Sequence, residues 1–468
     1  MLLYRCSLMV LLGLASVGSA GAEPLNVIVI TADDLGKQLS CYGDDILETP
    51  HMDALAARGI RFDKGYVTQA SCSSSRSSIL TGTYPHSNGQ LGLANHGFKM
   101  TPGRPNIVQS LQAAGYQTGI IGKLHVKPVE DFTFDFRRDS LECIRQTRDV
   151  VQVADWVDEF VESVDEEPFF LYLNYIDPHV PFIRDVKGYP TTPVSVEDVH
   201  AFRFQGIDDP EQLTSIADFY GCIRRLDEGI GLLMERLEAR DLVDNTLLVF
   251  VGDHGAPFAR GKLACYESSL GIPYFVSCPR LIEPGQVSQS LVSTVDIYPT
   301  VLDALGLDVP EGVQGESLVS VLKDSTQTVR NVLFGESNFH GGSASGYYPR
   351  RSATDGRFKL VLNLPSGYHE NGDVIVDYDH AYDFSRAARY DGTWVRELFD
   401  RLAEPPRIEL FDLRDDPNEK TNLAGNPEYA GVMQRLLSRL TDWMEETDDP
   451  FLTVDAVRAK YKMLEEEN

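Results

Sequence analysis

Asn26-Val27-Ile28-Val29-Ile30-Thr31-Ala32-Asp33-Asp34 is an unbroken run of branched apolar residues that ends abruptly in two carboxylates. It lacks the two-residue alternation of a strand with one wet face, so it reads as a strand buried on both sides. Three further runs share this form. Gly119-Ile120-Ile121-Gly122 leads into Lys123-Leu124-His125, Phe169–Leu173 leads to Asp177-Pro178-His179, and Leu247–Val251 leads into Gly252-Asp253-His254-Gly255. Helical patterns lie between them at Met52–Arg58, Ile107–Ala114, Val150–Val164 and Tyr220–Glu238. Strand alternating with helix predicts an α/β fold with a doubly wound, mostly parallel sheet. Such sheets bind ligands at the carboxyl ends of their strands, where all four polar clusters are expected to converge.

Beyond about residue 330 the pattern changes. Arg351–Leu364 reads as two strands turning at Asp355-Gly356. Glu409–Leu413 reads as another strand and Ala430–Glu446 as an amphipathic terminal helix. The expectation is a catalytic domain over residues 23–330 and a smaller C-terminal α+β domain, 331–468, around an antiparallel sheet. A basic residue at Arg5, an apolar run to Val17 and the small residues Ala20-Gly21-Ala22 predict a secretory signal peptide over residues 1–22, hence a secreted or periplasmic protein. The apolar run is too short to span a membrane. Six of the seven cysteines follow it, Cys41, Cys72, Cys143, Cys222, Cys265 and Cys278. If Cys72 reacts, an odd number remains, which argues against a complete disulfide framework. The formal net charge of −28 excludes nucleic acid and anionic membranes as partners. It also disfavours a long groove for a polyanion, so an anionic substrate would enter a local cationic pocket by its end.

Cys72-Ser73-Ser74-Ser75-Arg76-Ser77-Ser78-Ile79-Leu80-Thr81-Gly82 is the most specific motif. A helix start offers unpaired N–H groups and positive dipole to an anion, and it lowers the pKa of a thiol placed there. Arg76 adds a planar fork of donors suited to an oxyanion. Asp33 and Asp34 would repel each other without a cation, and Asp253 could complete a hard oxygen set of the kind that holds Ca²⁺ or Mg²⁺.

The stretch Cys72–Gly82 resembles the signature Cys-x-Pro-Ser-Arg-x-x-x-Leu-Thr-Gly of the sulfatase family, departing from it at Ser74, where the family usually has proline. Asn26–Asp34, Thr49–Leu55, Thr118–His125, Asp177–His179, Thr246–Gly255, Asp296–Ala304 and Glu409–Leu423 resemble sulfatase segments in the same order. The resemblance implies the alkaline-phosphatase-like fold, and a formylglycine made from Cys72 by a maturing enzyme that reads the proline position as well as the arginine. It also implies one divalent ion, Ca²⁺ before Mg²⁺ or another metal, on Asp33, Asp34, Asp253, His254 and residue 72. Arg76, Lys123 and Lys262 would neutralise sulfate oxygens, His179 would protonate the leaving atom, and His125 would act as a base.

Within the family, Tyr116–Val126, Phe132–Phe136, Gly255–Phe258 and Thr447–Pro450 are most similar to the N-sulfoglucosamine sulfohydrolases (heparan N-sulfatases), implying a sulfated amino sugar as substrate. Three alternatives stay open on the sequence: an O-sulfatase acting on another glycan, a phosphate or phosphonate ester hydrolase of the same superfamily, and a non-catalytic relative that binds sulfated glycans. Arg350 and Arg351 are candidates for a cationic rim.

Overall fold

The computed structural model describes residues 23–165, 167–341, 349–364 and 380–453, with 455, 456 and 459; the expected signal peptide lies outside the described residues. Ten strands precede residue 300. They are β1 (Asn26–Asp33), β2 (Ile60–Phe62), β3 (Gly65–Tyr66), β4 (Gln117–Ile121), β5 (Phe136–Arg138), β6 (Phe169–Pro178), β7 (Thr246–Gly252), β8 (Tyr274–Ser277), β9 (Gln286–Ser288) and β10 (Val292–Ser293). Eight of them form one sheet in the order β5-β4-β6-β1-β7-β8-β2-β9. Only β8 runs against its neighbours.

The branched run that opens β1 is buried along its whole length, as a central strand requires. Val27 and Val29 join one apolar cluster, while Ile28 and Ile30 join the other, because successive side chains point to opposite faces. Helices Cys72–Thr81, Ile107–Ala113 and Ile297–Ala304 cover the first face. Helices Pro50–Ala57, Val150–Val164 and Pro210–Ala239 cover the second. The expected doubly wound sheet is present. The pattern at Tyr220–Glu238 proves to be the end of a 30-residue helix that begins at Pro210, capped by the Asp209 side chain.

A second, four-stranded antiparallel sheet follows: β11 (Leu333–Ser337), β12 (Arg350–Thr354), β13 (Phe358–Asn363) and β14 (Ile408–Asp412), in that order. The β12–β13 turn is where Asp355-Gly356 placed it. Gly356 has φ 84°, and the Asp355 carboxylate accepts the Arg357 and Phe358 N–H groups at 3.0 and 2.7 Å. Helix Ala430–Glu446 packs Leu436, Leu440 and Trp443 onto this sheet. The sheet also meets the parallel sheet's domain, since Glu336 N–H donates to the Thr68 carbonyl at 2.8 Å, just upstream of Cys72. Among the described residues no helix is long and apolar enough to cross a membrane.

Candidate active site

The carboxyl ends of β1, β4, β6 and β7 converge, and each delivers its polar residues by a local departure from regular strand. In β1 the ladder slips between Ala32 and Asp33, and Asp34 enters the left-handed region at φ 66°, which aspartate tolerates better than most residues. After β4, Gly122 has φ 89°, and any side chain there would meet the Asn174 carbonyl, an ideal Cβ falling 2.0 Å from its oxygen. Lys123 and His125 are therefore loop residues that follow the end of β4 at Ile121. They still reach one cavity because His125 itself adopts φ 53°.

Helix Cys72–Thr81 is buried on every side despite five serines in its first seven positions. Local bonds satisfy most of them. Ser74 Oγ donates to the Gln90 carbonyl at 2.7 Å, Ser77 Oγ donates to the Ser74 carbonyl at 2.7 Å, and Ser73 Oγ accepts the Ala94 N–H at 2.9 Å. Gly82 closes the helix at φ 63°, its N–H bonded to the Ser78 carbonyl, which accounts for the glycine of Leu-Thr-Gly.

At the helix start, Cys72 Sγ lies 3.3 Å from His254 Nε2 and 4.0 Å from Asp34 Oδ1. His254 Nε2 is 3.0 Å from Asp34 Oδ1 and 3.7 Å from Asp253 Oδ1. Asp253 Oδ1 also accepts the Asp34 N–H at 2.9 Å. Lys123 Nζ pairs with Asp33 Oδ2 at 2.6 Å, and Lys262 Nζ with Asp34 Oδ1 at 3.0 Å. Cys72, Lys123, His125, His179 and Lys262 line one end of a cavity of about 690 Å³. Leu93, Leu124, Val126, Val129, Leu141 and Val180 make much of its remaining wall.

Three comparisons bear on this arrangement. The sulfatase family model matches residues 25–307. The chain belongs to the sulfatase family. A second family model, the C-terminal region of N-sulphoglucosamine sulphohydrolase, matches residues 252–384 of this sulfatase. Human N-sulphoglucosamine sulphohydrolase is 30% identical to it over 96% of this chain and 94% of the human protein. A solved structure of a protein in complex with its substrate D-glucosamine-2-N,6-O-disulfate is similar at a TM-score of 0.67, with 22% identity over 91% of this chain and 98% of that one. The phosphonate monoester hydrolase of Agrobacterium radiobacter has a TM-score of 0.67 and 20% identity, over 92% of this sulfatase and 97% of its own chain. These last two likenesses establish the alkaline-phosphatase-like fold. As a family member, the chain is a hydrolase of sulfate esters or sulfamates.

The electrostatics of the sulfatase site favour an anion at position 72. Burial pushes the Cys72 thiol up, but Lys123, Lys262 and His254 outweigh it and hold the pKa well below the ordinary value. Burial would lower His254, yet Asp253 and Asp34 carry it up to about 9. Burial, reinforced by Asp33, pushes Asp253 up to about 7. The residues fit a divalent ion. Asp33 Oδ1 is buried and accepts no hydrogen bond, with Arg76 Nη2 3.5 Å away. Asp33, Asp34, Cys72 and His179 offer atoms within 4.8 Å of one another, as do Cys72, Asp253 and His254. Three carboxylates with one imidazole make a predominantly hard donor set.

Arg76 is placed otherwise than the motif suggested. Its guanidinium is fully buried behind the carboxylates, donating to Asp253 Oδ2 (Nε, 3.1 Å), the Lys123 carbonyl (2.8 Å), Thr31 Oγ1 (3.2 Å) and Asn174 Oδ1 (2.5 Å). It does not line the cavity. Arg350 and Arg351 are buried too, and Arg351 is held by Asp449 at 2.5 and 2.9 Å, so neither forms a cationic rim. Sequence reading missed Asn174, which ties Arg76 to Thr31, and Asn95, whose Oδ1 is 2.9 Å from His125 Nε2. No local motif marks either residue. The six described cysteines are all free.

Proposed function

We propose that this sulfatase removes the N-sulfate of N-sulfoglucosamine at the non-reducing end of a glycan, using a formylglycine at position 72 and one Ca²⁺ ion. The reading is carried by the setting of Cys72, at a helix N-terminus among two lysines, three histidines and three carboxylates at the end of one cavity. The substrate rests on the likeness to human N-sulphoglucosamine sulphohydrolase along nearly the whole chain.

As formylglycine, residue 72 would supply a hydrated aldehyde that can attack sulfur and later release sulfate by returning to the carbonyl. A divalent ion held by Asp33, Asp34, Asp253, His254 and residue 72 would polarise the sulfate oxygens. Lys123 and Lys262 face the same end of the cavity and neutralise charge as it develops on those oxygens. Arg76 acts from behind, holding Asp253 in place. His179 Nδ1 donates to the Val180 carbonyl at 2.5 Å, which leaves Nε2 to carry a proton to the leaving nitrogen. Its pKa is raised: burial would lower it, but Asp34 and Asp33 outweigh that effect. His125, pushed down by burial and by Lys123, is suited to accept a proton.

Ser74 sits in the first helical turn, where backbone N–H groups have no helical acceptor. Serine and proline both suit the fold there, so the departure from the motif bears on recognition by the maturing enzyme rather than on the site. Export rests on residues 1–22, and the division into a catalytic unit, 23–330, and a substrate-shaping subdomain, 331–468, belongs to the same proposal. A panel of N-sulfo-, 6-O-sulfo- and 2-O-sulfoglucosamine tests it. Sulfate release from the N-sulfated sugar is expected. Rapid turnover of an O-sulfated sugar with none of the N-sulfated one would refute the substrate and leave the family standing.

A further inference from the structure

We propose that Arg148 and Arg225 are positioning residues that hold His179 in line with the leaving group, an inference that rests on His179 being the proton donor. His179 follows the last residue of β6 and lies in irregular chain, so the strand alone does not fix it. A buried carboxylate and two guanidinium groups do. Asp177 is 1% exposed. Its Oδ1 accepts from Arg148 Nη1 at 2.6 Å, and its Oδ2 accepts from Arg225 Nε at 2.7 Å.

Each arginine then reaches a second point on the same loop. Arg148 Nη2 donates to the carbonyl of His179 itself at 2.9 Å, and Arg225 Nη1 donates to the Ile183 carbonyl at 2.6 Å. The loop from Asp177 to Ile183 is thus clamped at three places. The clamps are anchored in different helices: Arg148 lies just before Val150–Val164, and Arg225 lies within Pro210–Ala239. Thr147 adds a fourth tie, its Oγ1 accepting the Ile176 N–H at 3.0 Å.

Neither arginine lines the cavity, so neither touches substrate. A buried ion pair that served stability alone would need one arginine for one carboxylate. Two arginines on Asp177, each with a further N–H aimed at a carbonyl of the His179 loop, fix position as well as charge. The fork geometry matters, because a lysine ammonium on its flexible stem offers no planar pair of donors with which to bridge Asp177 and the His179 carbonyl.

The proton transfer makes the consequence specific. As the S–N bond breaks, the leaving nitrogen takes its electron pair and a proton from His179 Nε2. A nitrophenolate leaves without that proton, whereas an amine or simple phenol does not leave readily. Displacing His179 therefore penalises poor leaving groups selectively, by up to the roughly 100-fold low end of what a positioned acid contributes.

The test measures kcat/KM of the full chain on 4-nitrophenyl sulfate, phenyl sulfate and N-sulfoglucosamine, with melting temperature alongside. Arg148→Ala should lose about 100-fold on the two poor leaving groups and less than about threefold on the nitrophenyl ester. Arg148→Lys, which keeps charge and disturbs folding less, should fall between. Adding Arg148→Ala to His179→Ala should cost nothing further, since the arginine acts only through the histidine. An equal loss on all three substrates, no loss, or an additive double variant overturns the positioning role. Turnover by wild type that His179→Ala leaves unchanged on the poor leaving groups refutes the assignment of His179 itself, and this inference with it.

Discussion

Replacing Arg76 by methionine tests whether the buried guanidinium holds the carboxylate cluster together. Arg76 and its partners Asp33 and Asp253 are fully inaccessible to solvent, and Arg76 Nη2 is 3.0 Å from Asp253 Oδ2. Burial and Asp33 already push Asp253 up to about 7 with the arginine in place. Methionine fills much of the same volume but takes the guanidinium donors from Asp253 Oδ2 and the Lys123 carbonyl, and leaves Asn174 Oδ1 with Thr31 Oγ1 alone. Breaking one buried pair by removing a single partner costs about 3–5 kcal/mol. We therefore expect a loss of about 4 kcal/mol in urea unfolding followed by tryptophan fluorescence in chelator, where metal makes no contribution. Arg76→Lys keeps the charge and should recover part of the loss without restoring activity, because a lysine cannot serve Asp253 and Asn174 together. Arg76→Met with stability within about 1 kcal/mol of wild type would refute the reasoning, since that is far less than breaking a buried pair costs.

Gly122→Ala forces a Cβ to within 2.0 Å of the Asn174 carbonyl oxygen at φ 89°. It should unfold at lower urea and lose most activity, because Lys123 and His125 follow it directly; wild-type behaviour in both assays would contradict the strained turn. Glu419 is pushed by burial, opposed by Lys359, from 4.5 up to about 7. The folded state therefore binds the proton more tightly than the unfolded state, and stability should fall as pH rises from about 4.5 to about 7, by roughly 3 kcal/mol. Glu419→Gln should flatten that part of the stability profile, and an unchanged profile would show that Glu419 does not titrate there. Removing divalent metal should abolish sulfate release and lower the melting temperature, and Ca²⁺ at about 100 times its dissociation constant should restore about 2.7 kcal/mol. Stoichiometric zinc in the native protein would contradict the hard donor set.

The parallel sheet was legible because its central strands are branched apolar runs without alternation, a pattern that survives without knowledge of their neighbours. The same runs placed Asp33, Asp34, Asp253 and His254 at strand ends, since Asp33 closes β1 and the other three follow their strands within two residues. Lys123 and His125 were harder. Their common direction comes from positive φ values at Gly122 and His125, and only the glycine hints at this in the sequence. Arg76 was misread because the motif fixes its distance from Cys72 along the helix but not what lies opposite. Asn174 and Thr31 come from β6 and β1 and meet the arginine only after folding. Arg351 looked like an exposed hairpin residue, yet β12 lies inside its sheet and Asp449 reaches it from beyond the terminal helix. Charged residues that meet across long sequence separations left no local signal, which is why Arg148 and Arg225 also went unnoticed.

The central claim is that residue 72 becomes the nucleophile. It is tested by the mass of the tryptic peptide spanning position 72, taken from protein made in its own host and assayed for sulfate release in the same preparation. The account predicts a peptide lighter than the cysteine form by the exchange of a thiol for an aldehyde. It also predicts labelling by a hydrazide probe, and activity in proportion to the labelled fraction. A fully active preparation carrying unmodified Cys72 would contradict it.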